Sequence, residues 1–333
     1  MGVGVSIDEF VAGAVVSLGM SWVVVSRLER VGERVGLSEA LLGMVAALAA
    51  DAPEITASIT ALAHNERAVG AGVVIGSNVF NLAALLGLGA VVAGGFGLHR
   101  KVIWLGGTVA LWVAFVCLVT VTAVVGPTVG FMLVLVVLLP YVVLLAAHRT
   151  GLRRFPFPSR WKRWLLSAVD EEELELAVAI RPQRGRPVDI LVAGMSLVVV
   201  VAASVAMERG ASSLGLHFGI AEIVIGALVL AAVTSLPNAV AAVHLARNGR
   251  GEAALSTGLN SNTLNVAVGL LLPAIFIGLT HLSGVDFVVA GWYVGLTVLT
   301  LALAYAGRGL RPWSGWLIIL GYAGFVVTLL AIA

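Results

Sequence analysis

The sequence predicts an all-α polytopic membrane protein: ten transmembrane helices form two inverted five-helix repeats, with helices broken at the midplane. Three observations predict this fold: an apolar composition, ten apolar runs of membrane-spanning length, and a set of polar residues that recurs 184 positions later. Of the 333 residues, 60% are hydrophobic and 11% are charged, and the mean hydropathy is +1.05. A soluble domain of this length would need far more charge to cover its surface.

Each of the ten apolar runs is long enough to cross the hydrocarbon core, which takes about 20 residues of α-helix. The runs cover residues 8–28, 39–63, 69–95, 102–124, 128–148, 188–208, 221–246, 253–280, 286–306 and 312–332. Their connections are short except for one segment rich in Arg, Trp, Pro and Glu. The sequence therefore predicts a first repeat at 1–148, a linker at 149–187 and a second repeat at 188–333.

The positive charges are strongly segregated between the two ends of these runs. Of the 20 Lys and Arg residues, 18 follow odd-numbered spans, and only Arg67 and Arg209 follow even-numbered ones. Positive residues are enriched in cytoplasmic loops, so both termini are predicted outside a cell (plasma) membrane and the linker in the cytoplasm. The acidic linker run 170–175 reads either as a solvated loop, which is favoured, or as a regulatory cation site.

Two unusual stretches of the first half recur in the second half without a gap. "AADAPE" aligns with "VTSLPN", and "GSNVFN" aligns with "NSNTLN". The aligned pairs are Pro53 with Pro237, Ser77 with Ser261, Asn78 with Asn262, and Asn81 with Asn265. An odd number of spans per repeat inverts the second copy, and inverted repeats with interrupted helices are typical of secondary transporters.

The two prolines are expected to expose backbone oxygen in the membrane interior. Proline has no N–H, so Pro53 should free the carbonyl of Ala49, and Pro237 should free that of Val233. A freed carbonyl in hydrocarbon needs a partner, and a bound cation is one possible partner. With the repeated Ser and Asn side chains, these carbonyls would form an oxygen cage of the kind that Ca²⁺ and Na⁺ prefer.

Two carboxylates give this cage its negative charge. Asp51 and Glu54 are the acidic residues in the middle of a predicted span, whereas the other span acids fall near span ends. Burying a carboxylate at mid-membrane costs several kcal/mol, so both are candidate cation ligands or proton carriers. The alternative is a carboxyl group held neutral by hydrogen bonds for packing. Two negative charges match one divalent cation or two monovalent cations.

These residues resemble the signature of the calcium/cation antiporter superfamily, which includes sodium/calcium exchangers. Members have ten spans in two inverted halves, and their signature repeats read approximately G-T-S-x-P-E followed by G-S-N-x-x-N. The resemblance implies that Glu54 is a central Ca²⁺ ligand and that transport is electrochemically driven exchange by alternating access. The remaining ligands that it implies are Ser77, Asn81, Thr234, Ser235, Ser261 and Asn265.

The chain departs from this signature at the acids themselves. Asn238 stands where the second repeat usually has an acid, and Ala50-Asp51 stands where the first repeat usually has Thr-Ser. Both carboxylates then come from the first half, which could preserve divalent binding while changing selectivity. The full candidate site is Asp51, Glu54, Ser77, Asn78, Asn81, Thr234, Ser235, Asn238, Ser261, Asn262 and Asn265, with the carbonyls of Ala49 and Val233.

The predicted function is exchange of Ca²⁺ for Na⁺ or H⁺, with an altered cation selectivity or a non-transporting relative as alternatives. No H-E-x-x-H or G-x-S-x-G motif occurs, which argues against an intramembrane enzyme. A channel is disfavoured because pores are usually built by symmetric subunits. His244 reads either as part of a proton path or, more commonly, as packing. The expected partners are transported cations and lipid, with no nucleic acid and no cofactor; the oligomeric state stays open.

Overall fold

The computed structural model describes residues 2–35, 39–146, 186–279 and 284–333. Nearly all of linker 149–187, including the acidic run 170–175, lies outside the described residues. The first half comprises α1 (Val3–Val35), α2 (Glu39–Ala50), α3 (Ala52–Ala63), α4 (Arg67–Asn81), a π-helical stretch at Leu82–Leu88, α5 (Gly89–Val92), β1 (Phe96–Gly97), α6 (Arg100–Val121) and α7 (Pro127–Ala146).

The second half repeats the order of the five spans. It comprises α8 (Pro187–Phe218), α9 (Glu222–Val224), a π-helical stretch at Ile225–Leu230, α10 (Ala231–Thr234), α11 (Leu236–Arg247), α12 (Gly251–Leu264), a π-helical stretch at Asn265–Leu271, α13 (Leu272–Ile277), α14 (Gly284–Gly307), β2 (Gly309–Leu310) and α15 (Pro312–Ile332). The first residues of α1, α3, α4 and α6 lie 184 positions before those of α8, α11, α12 and α14. The secondary structure therefore follows the repeat seen in the sequence.

Ten spans result, as predicted. Eight helical segments of the described residues are long and apolar enough to cross a membrane, and two bent helix pairs bring the number to ten. The bent pairs are spans 2 (α2 and α3) and 7 (α9 to α11). Spans 3 (Arg67–Val92) and 8 (Gly251–Ile277) are 94% and 72% buried over their apolar windows, so they form the centre of the molecule. The all-α fold of two inverted five-helix repeats is confirmed.

Spans 1 and 6 are much longer than the sequence predicted. Helix α8 continues ten residues beyond the predicted end at 208 and stops at Gly219, which adopts φ +66°. The sequence around Glu208 and Arg209 resembled a loop because it is charged, but the following residues keep the chain helical. Spans longer than the hydrocarbon thickness are accommodated by tilting. The prediction that span 6 ends at 208 is therefore wrong.

The long helices α1 and α8 pack against each other along their length. A Cβ atom on Gly13 would lie 2.6 Å from the carbonyl oxygen of Ala203, which shows how closely the backbones approach. The Ser17 and Ser204 hydroxyls lie 2.6 Å apart, and Arg27 Nη1 contacts Asp189 Oδ1 at 2.7 Å. These contacts make α1 and α8 one packed pair.

A small β-ribbon was not predicted from the sequence. Strands β1 and β2 pair antiparallel, with Phe96 opposite Leu310 and Gly97 opposite Gly309. Each strand has only two residues, too few to show the alternation by which a strand is recognised in a sequence. The ribbon connects the ends of spans 3 and 9.

Span 3 meets span 7 through glycine. A Cβ atom on Gly76 would overlap the backbone of Ala227, and one on Gly226 would overlap the carbonyl oxygen of Val69. Small residues allow such close helix contact inside membranes. The "GVVIG" stretch from Gly72 to Gly76 has the spacing of small residues that permits this close contact.

We predict that Gly76→Ala destabilises the protein by about 1–3 kcal/mol, because the new methyl group meets backbone that cannot rotate away. Thermal unfolding of the purified protein in detergent would measure this as a lower Tm. Gly194→Ala is the matched control, since Gly194 is exposed on α8 and its Cβ atom would have no neighbour within 4 Å. Equal Tm values for the two variants would contradict the close contact.

Candidate cation-binding site

The two bent spans carry the predicted breaks at equivalent positions. Span 2 bends by 53° between Ala50 and Ala52, and span 7 bends by 49° around Ser235. In each case the proline, Pro53 or Pro237, is the second residue of the helix that follows the bend. The missing N–H removes a helical hydrogen bond at the bend, so the two breaks have the same chemical cause.

Asp51 and Glu54 lie at the first break with both side chains fully buried. Asp51 occupies the turn between the two helices, Glu54 lies in the first turn of α3, and the two carboxylates interact electrostatically. Asp51 Oδ1 accepts hydrogen bonds from Asn238 Nδ2 at 2.6 Å and from Ser261 Oγ at 2.7 Å. Asp51 of the first repeat is therefore bound by Asn238, the residue that stands in place of an acid in the second repeat.

The repeated asparagines join spans 3 and 8 through a two-fold arrangement. Asn78 Nδ2 donates to the backbone carbonyl of Asn262, and Asn262 Nδ2 donates to that of Asn78, both at 3.1 Å. Asn81 Nδ2 donates to Asn262 Oδ1 at 3.0 Å, and the equivalent bond runs from Asn265 Nδ2 to Asn78 Oδ1 at 3.3 Å. Asn81 Nδ2 also lies 3.2 Å from Ser261 Oγ. These bonds cross the interface between the repeats at equivalent positions.

Seven buried side-chain oxygens of the candidate site have no hydrogen-bond partner among the described residues. They are Asp51 Oδ2, Glu54 Oε1, Glu54 Oε2, Ser77 Oγ, Asn81 Oδ1, Ser235 Oγ and Asn265 Oδ1. Buried polar groups are costly unless they are paired, so such a concentration calls for an explanation. Carboxylate, hydroxyl and amide oxygens are the ligands that Ca²⁺ takes in sets of six to eight. The arrangement can therefore bind a hard cation.

The described ranges contain no group of three or more His, Cys, Asp or Glu residues that could hold a metal ion. The negative charge of the candidate site thus rests on Asp51 and Glu54, and its other oxygens are neutral. Thr234 Oγ1 donates to the carbonyl of Leu230 at 2.9 Å within span 7, which leaves its oxygen lone pairs as possible ligands. Val233 is half-buried beside it, and its carbonyl accepts a backbone N–H at the end of α10, so Pro237 does not leave this carbonyl without a donor as predicted.

The carbonyl of Ala49 already has a protein partner. Ser21 Oγ, from α1, donates to Ala49 O at 3.2 Å and lies 3.3 Å from Ala50 O. Sequence reasoning identified the carbonyl but missed this hydroxyl. Ser17 and Ser21 are one helical turn apart in an apolar helix, which is a polar stripe that could have indicated a contact with another helix.

Two further polar contacts near the site were missed. Ser58 Oγ lies 2.8 Å from the carbonyl oxygen of Gly70 and 2.9 Å from that of Gly269, so it joins spans 2, 3 and 8. Tyr141 OH donates to Asn260 Oδ1 at 3.2 Å. Asn260 is the residue that replaces the glycine of the G-S-N signature, and its amide is thereby tied to span 5.

Glu208 is a buried acid that the sequence analysis missed, because it placed the end of span 6 at residue 208. Its side chain is 1% exposed, and its Oε1 lies 3.2 Å from Ser212 Oγ, which donates to Glu66 Oε2 at 2.6 Å. His64 Nδ1 is 3.9 Å from Glu208 Oε2. The helical apolar pattern after Arg209 was the signal that could have placed Glu208 inside α8 rather than at its end.

His244 does not join the hydrogen bonds of the candidate site. It is exposed near the end of α11, where it contacts Asn248 and lines a groove of about 750 Å³ with Phe80 and Arg247. This position fits the packing or interfacial role, and a proton path through His244 stays a prediction.

Ten spans in inverted repeats, with two broken helices and buried carboxylates between them, define a membrane carrier of the secondary-transporter class. The family model for "Sodium/calcium exchanger protein" matches residues 9–148 and 188–331. The chain therefore belongs to the sodium/calcium exchanger family, whose fold is that of transporters.

Individual relatives are more distant. The inner membrane protein YrbG of Escherichia coli is 28% identical over 246 residues, which cover 72% of this chain and 70% of that protein. The sodium/calcium exchanger MaX1 of Methanosarcina acetivorans is 31% identical over 111 residues, or 33% of this chain and 32% of that protein. A solved structure of the sodium-calcium exchanger NCX_Mj superposes with a TM-score of 0.62, covering 98% of this chain and 100% of that one. At 19% identity this similarity shows the fold alone.

We predict that Asn262→Ala destabilises the protein by roughly 1–3 kcal/mol, because it removes the side-chain donor to the Asn78 carbonyl and one of the two acceptors of the Asn81 amide in a buried site. The fall in Tm in detergent would measure it. Asn248→Ala is the control, since Asn248 is exposed and bonds to His244 one turn away in the same helix. A fall in Tm no larger than that of the control would mean that the asparagine cluster does not hold the repeats together.

Proposed function

We propose that the protein is a secondary active cation antiporter that exchanges Ca²⁺ for Na⁺ or H⁺ by alternating access. The observation that carries this proposal is the pair of buried carboxylates, Asp51 and Glu54, among unpartnered oxygens where the two inverted repeats meet. Family membership supports cation antiport in general. MaX1 and NCX_Mj are both named as sodium/calcium exchangers, and these names favour Na⁺ and Ca²⁺ as the ions of this chain.

Charge balance is consistent with exchange of one divalent cation for two monovalent cations. Two ionised carboxylates with no basic residue in the candidate site would repel each other in a low-dielectric interior, and one Ca²⁺ would neutralise both. Two Na⁺ or two H⁺ would neutralise them equally well. Ions of the two kinds can therefore occupy the same site alternately, which is what exchange requires.

Asn238 supports the alternative that cation selectivity is altered. Its amide donates to Asp51 Oδ1, so one of the four carboxylate oxygens at the site is occupied by a protein donor. Fewer anionic oxygens lower the preference for a divalent ion, because Ca²⁺ affinity is tuned by the charge count of its ligands. A non-transporting relative is the remaining alternative.

The test is ⁴⁵Ca²⁺ uptake by proteoliposomes under an outward Na⁺ gradient or an outward H⁺ gradient. We expect gradient-driven uptake by the wild type and a loss of roughly tenfold or more in Glu54→Gln and Asp51→Asn, because each removes a buried ligand charge. The gradient that drives uptake identifies the coupling ion. Glu222→Gln and Asp8→Asn are matched controls, since both acids are exposed and should leave uptake unchanged.

Uptake that survives in both Glu54→Gln and Asp51→Asn would contradict the proposed site. Asn238→Glu separates the alternatives, because it restores an acid to the second repeat. No uptake by the wild type, with uptake gained by Asn238→Glu, would show that the missing acid has removed calcium transport. No uptake by either protein would turn the search to other cations.

We also propose that both termini face outside a cell membrane and that linker 149–187 is cytoplasmic. The 18-to-2 division of Lys and Arg supports this orientation. It places the connection between α3 and α4 outside and the connection between α11 and α12 in the cytoplasm.

We predict that a cysteine at Ala63 reacts with a membrane-impermeant maleimide on intact cells, and that a cysteine at Asn248 reacts only after lysis. Both positions are exposed at the ends of α3 and α11. The single native Cys117 is buried, and Cys117→Ala provides a background without it. The reverse labelling pattern would overturn the orientation.

A further inference from the structure

Ser21 is a fully buried hydroxyl that reaches from α1 to the first helix break. Its Oγ donates to the carbonyl oxygen of Ala49 at 3.2 Å. Ala49 is four residues before Pro53, so this is the carbonyl that the proline deprives of its helical donor. The hydroxyl thus supplies the hydrogen bond that the broken helix cannot.

This support is present in one repeat and not in the other. The residue 184 positions after Ser21 is Val205, whose side chain has no polar hydrogen to donate to the second break; the Val233 carbonyl accepts a backbone N–H instead. The hydroxyl that α8 does place against α1, Ser204, pairs with Ser17 rather than with a break. The Ser21 contact is therefore a specific feature of the half that also carries both acids.

The same carbonyl is a candidate cation ligand. It precedes Asp51 by two residues, and a freed carbonyl near a carboxylate is a favourable oxygen for a hard cation. A hydroxyl hydrogen directed at a carbonyl oxygen and a cation bound to that oxygen are both positive and repel each other. The carbonyl oxygen has a second lone pair, but its bond to a cation is weaker while Ser21 donates to it, and Ser21 can turn its hydrogen to the Ala50 carbonyl 3.3 Å away.

We propose that Ser21 and the transported cation compete for the Ala49 carbonyl, so that Ser21 is a positioning residue that holds the first break when no cation is bound. This inference rests on the proposed cation site.

The test uses the purified full chain in detergent, with CaCl₂ and NaCl as separate probes and choline chloride as the reference without Ca²⁺ or Na⁺. We predict that Ser21→Ala lowers Tm in choline and binds Ca²⁺ or Na⁺ with a dissociation constant roughly threefold to tenfold lower than that of the wild type, since the competing donor is gone. The cation-induced rise in Tm should be correspondingly larger than in the wild type.

Two variants show whether the hydroxyl itself is responsible. Ser26→Ala removes a hydroxyl that bonds within α1, to the carbonyl of Trp22 at 2.9 Å, and should change neither property. Ser21→Cys keeps a weak donor of similar size and should give an intermediate dissociation constant. A merely structural role would lower Tm equally with and without cation and leave affinity unchanged.

The outcomes distinguish this inference from the function on which it rests. A wild type whose Tm and binding respond to neither cation would overturn the cation site and the competition together. A wild type that binds, with a Ser21→Ala variant that binds equally or more weakly, would overturn the competition alone. Tighter binding by Ser21→Ala, with a normal Ser26→Ala variant, supports it.

Discussion

The burial of two carboxylates at a break in a membrane helix is the constraint on which the rest of this structure depends. Neither Asp51 nor Glu54 has any exposed surface, so every stabilising partner has to come from the protein or from a bound cation. The break itself is part of the solution, because a proline at this point removes an N–H and leaves carbonyl oxygen beside the acids. The flanking spans then supply amides and hydroxyls within hydrogen-bonding distance.

The inverted repeat brings those partners together with few residues. Asn78 and Asn81 of span 3 bond to Asn262 and Asn265 of span 8 in equivalent pairs. One sequence motif, used twice, therefore connects the two repeats. Hydrogen bonds of this kind satisfy polar groups that would otherwise be stranded in an apolar interior. The same bonds hold the two halves in register around the carboxylates, so the structural contact and the candidate site are one set of residues.

The sequence predicted those features of the structure that are encoded by a local or a repeated pattern of residues. The span count, the breaks and the paired asparagines all follow from apolar runs, prolines and a 184-residue offset, and the fold confirms the architecture. The sequence did not predict hydrogen-bond partners that depend on how the helices pack. Ser21 and Ser58 look like ordinary small residues in apolar helices, and only the packed structure shows that each reaches a carbonyl of another span. The length of α8 was missed because charge at Glu208 and Arg209 mimics a loop.

The departure from symmetry carries the most functional information. A symmetric pair of repeats would place one acid in each half, whereas here both acids and the Ser21 hydroxyl contact the first break. Asn238 is in contact with Asp51, but it donates a hydrogen bond instead of supplying charge. At the proposed site, a cation bound by Asp51 and Glu54 would be held mainly by the first repeat and contacted by neutral groups of the second. Under the proposed alternating access, inward-open and outward-open states would exchange the roles of the two repeats, and we expect such an asymmetric site to bind its cation with different affinity on the two sides of the membrane.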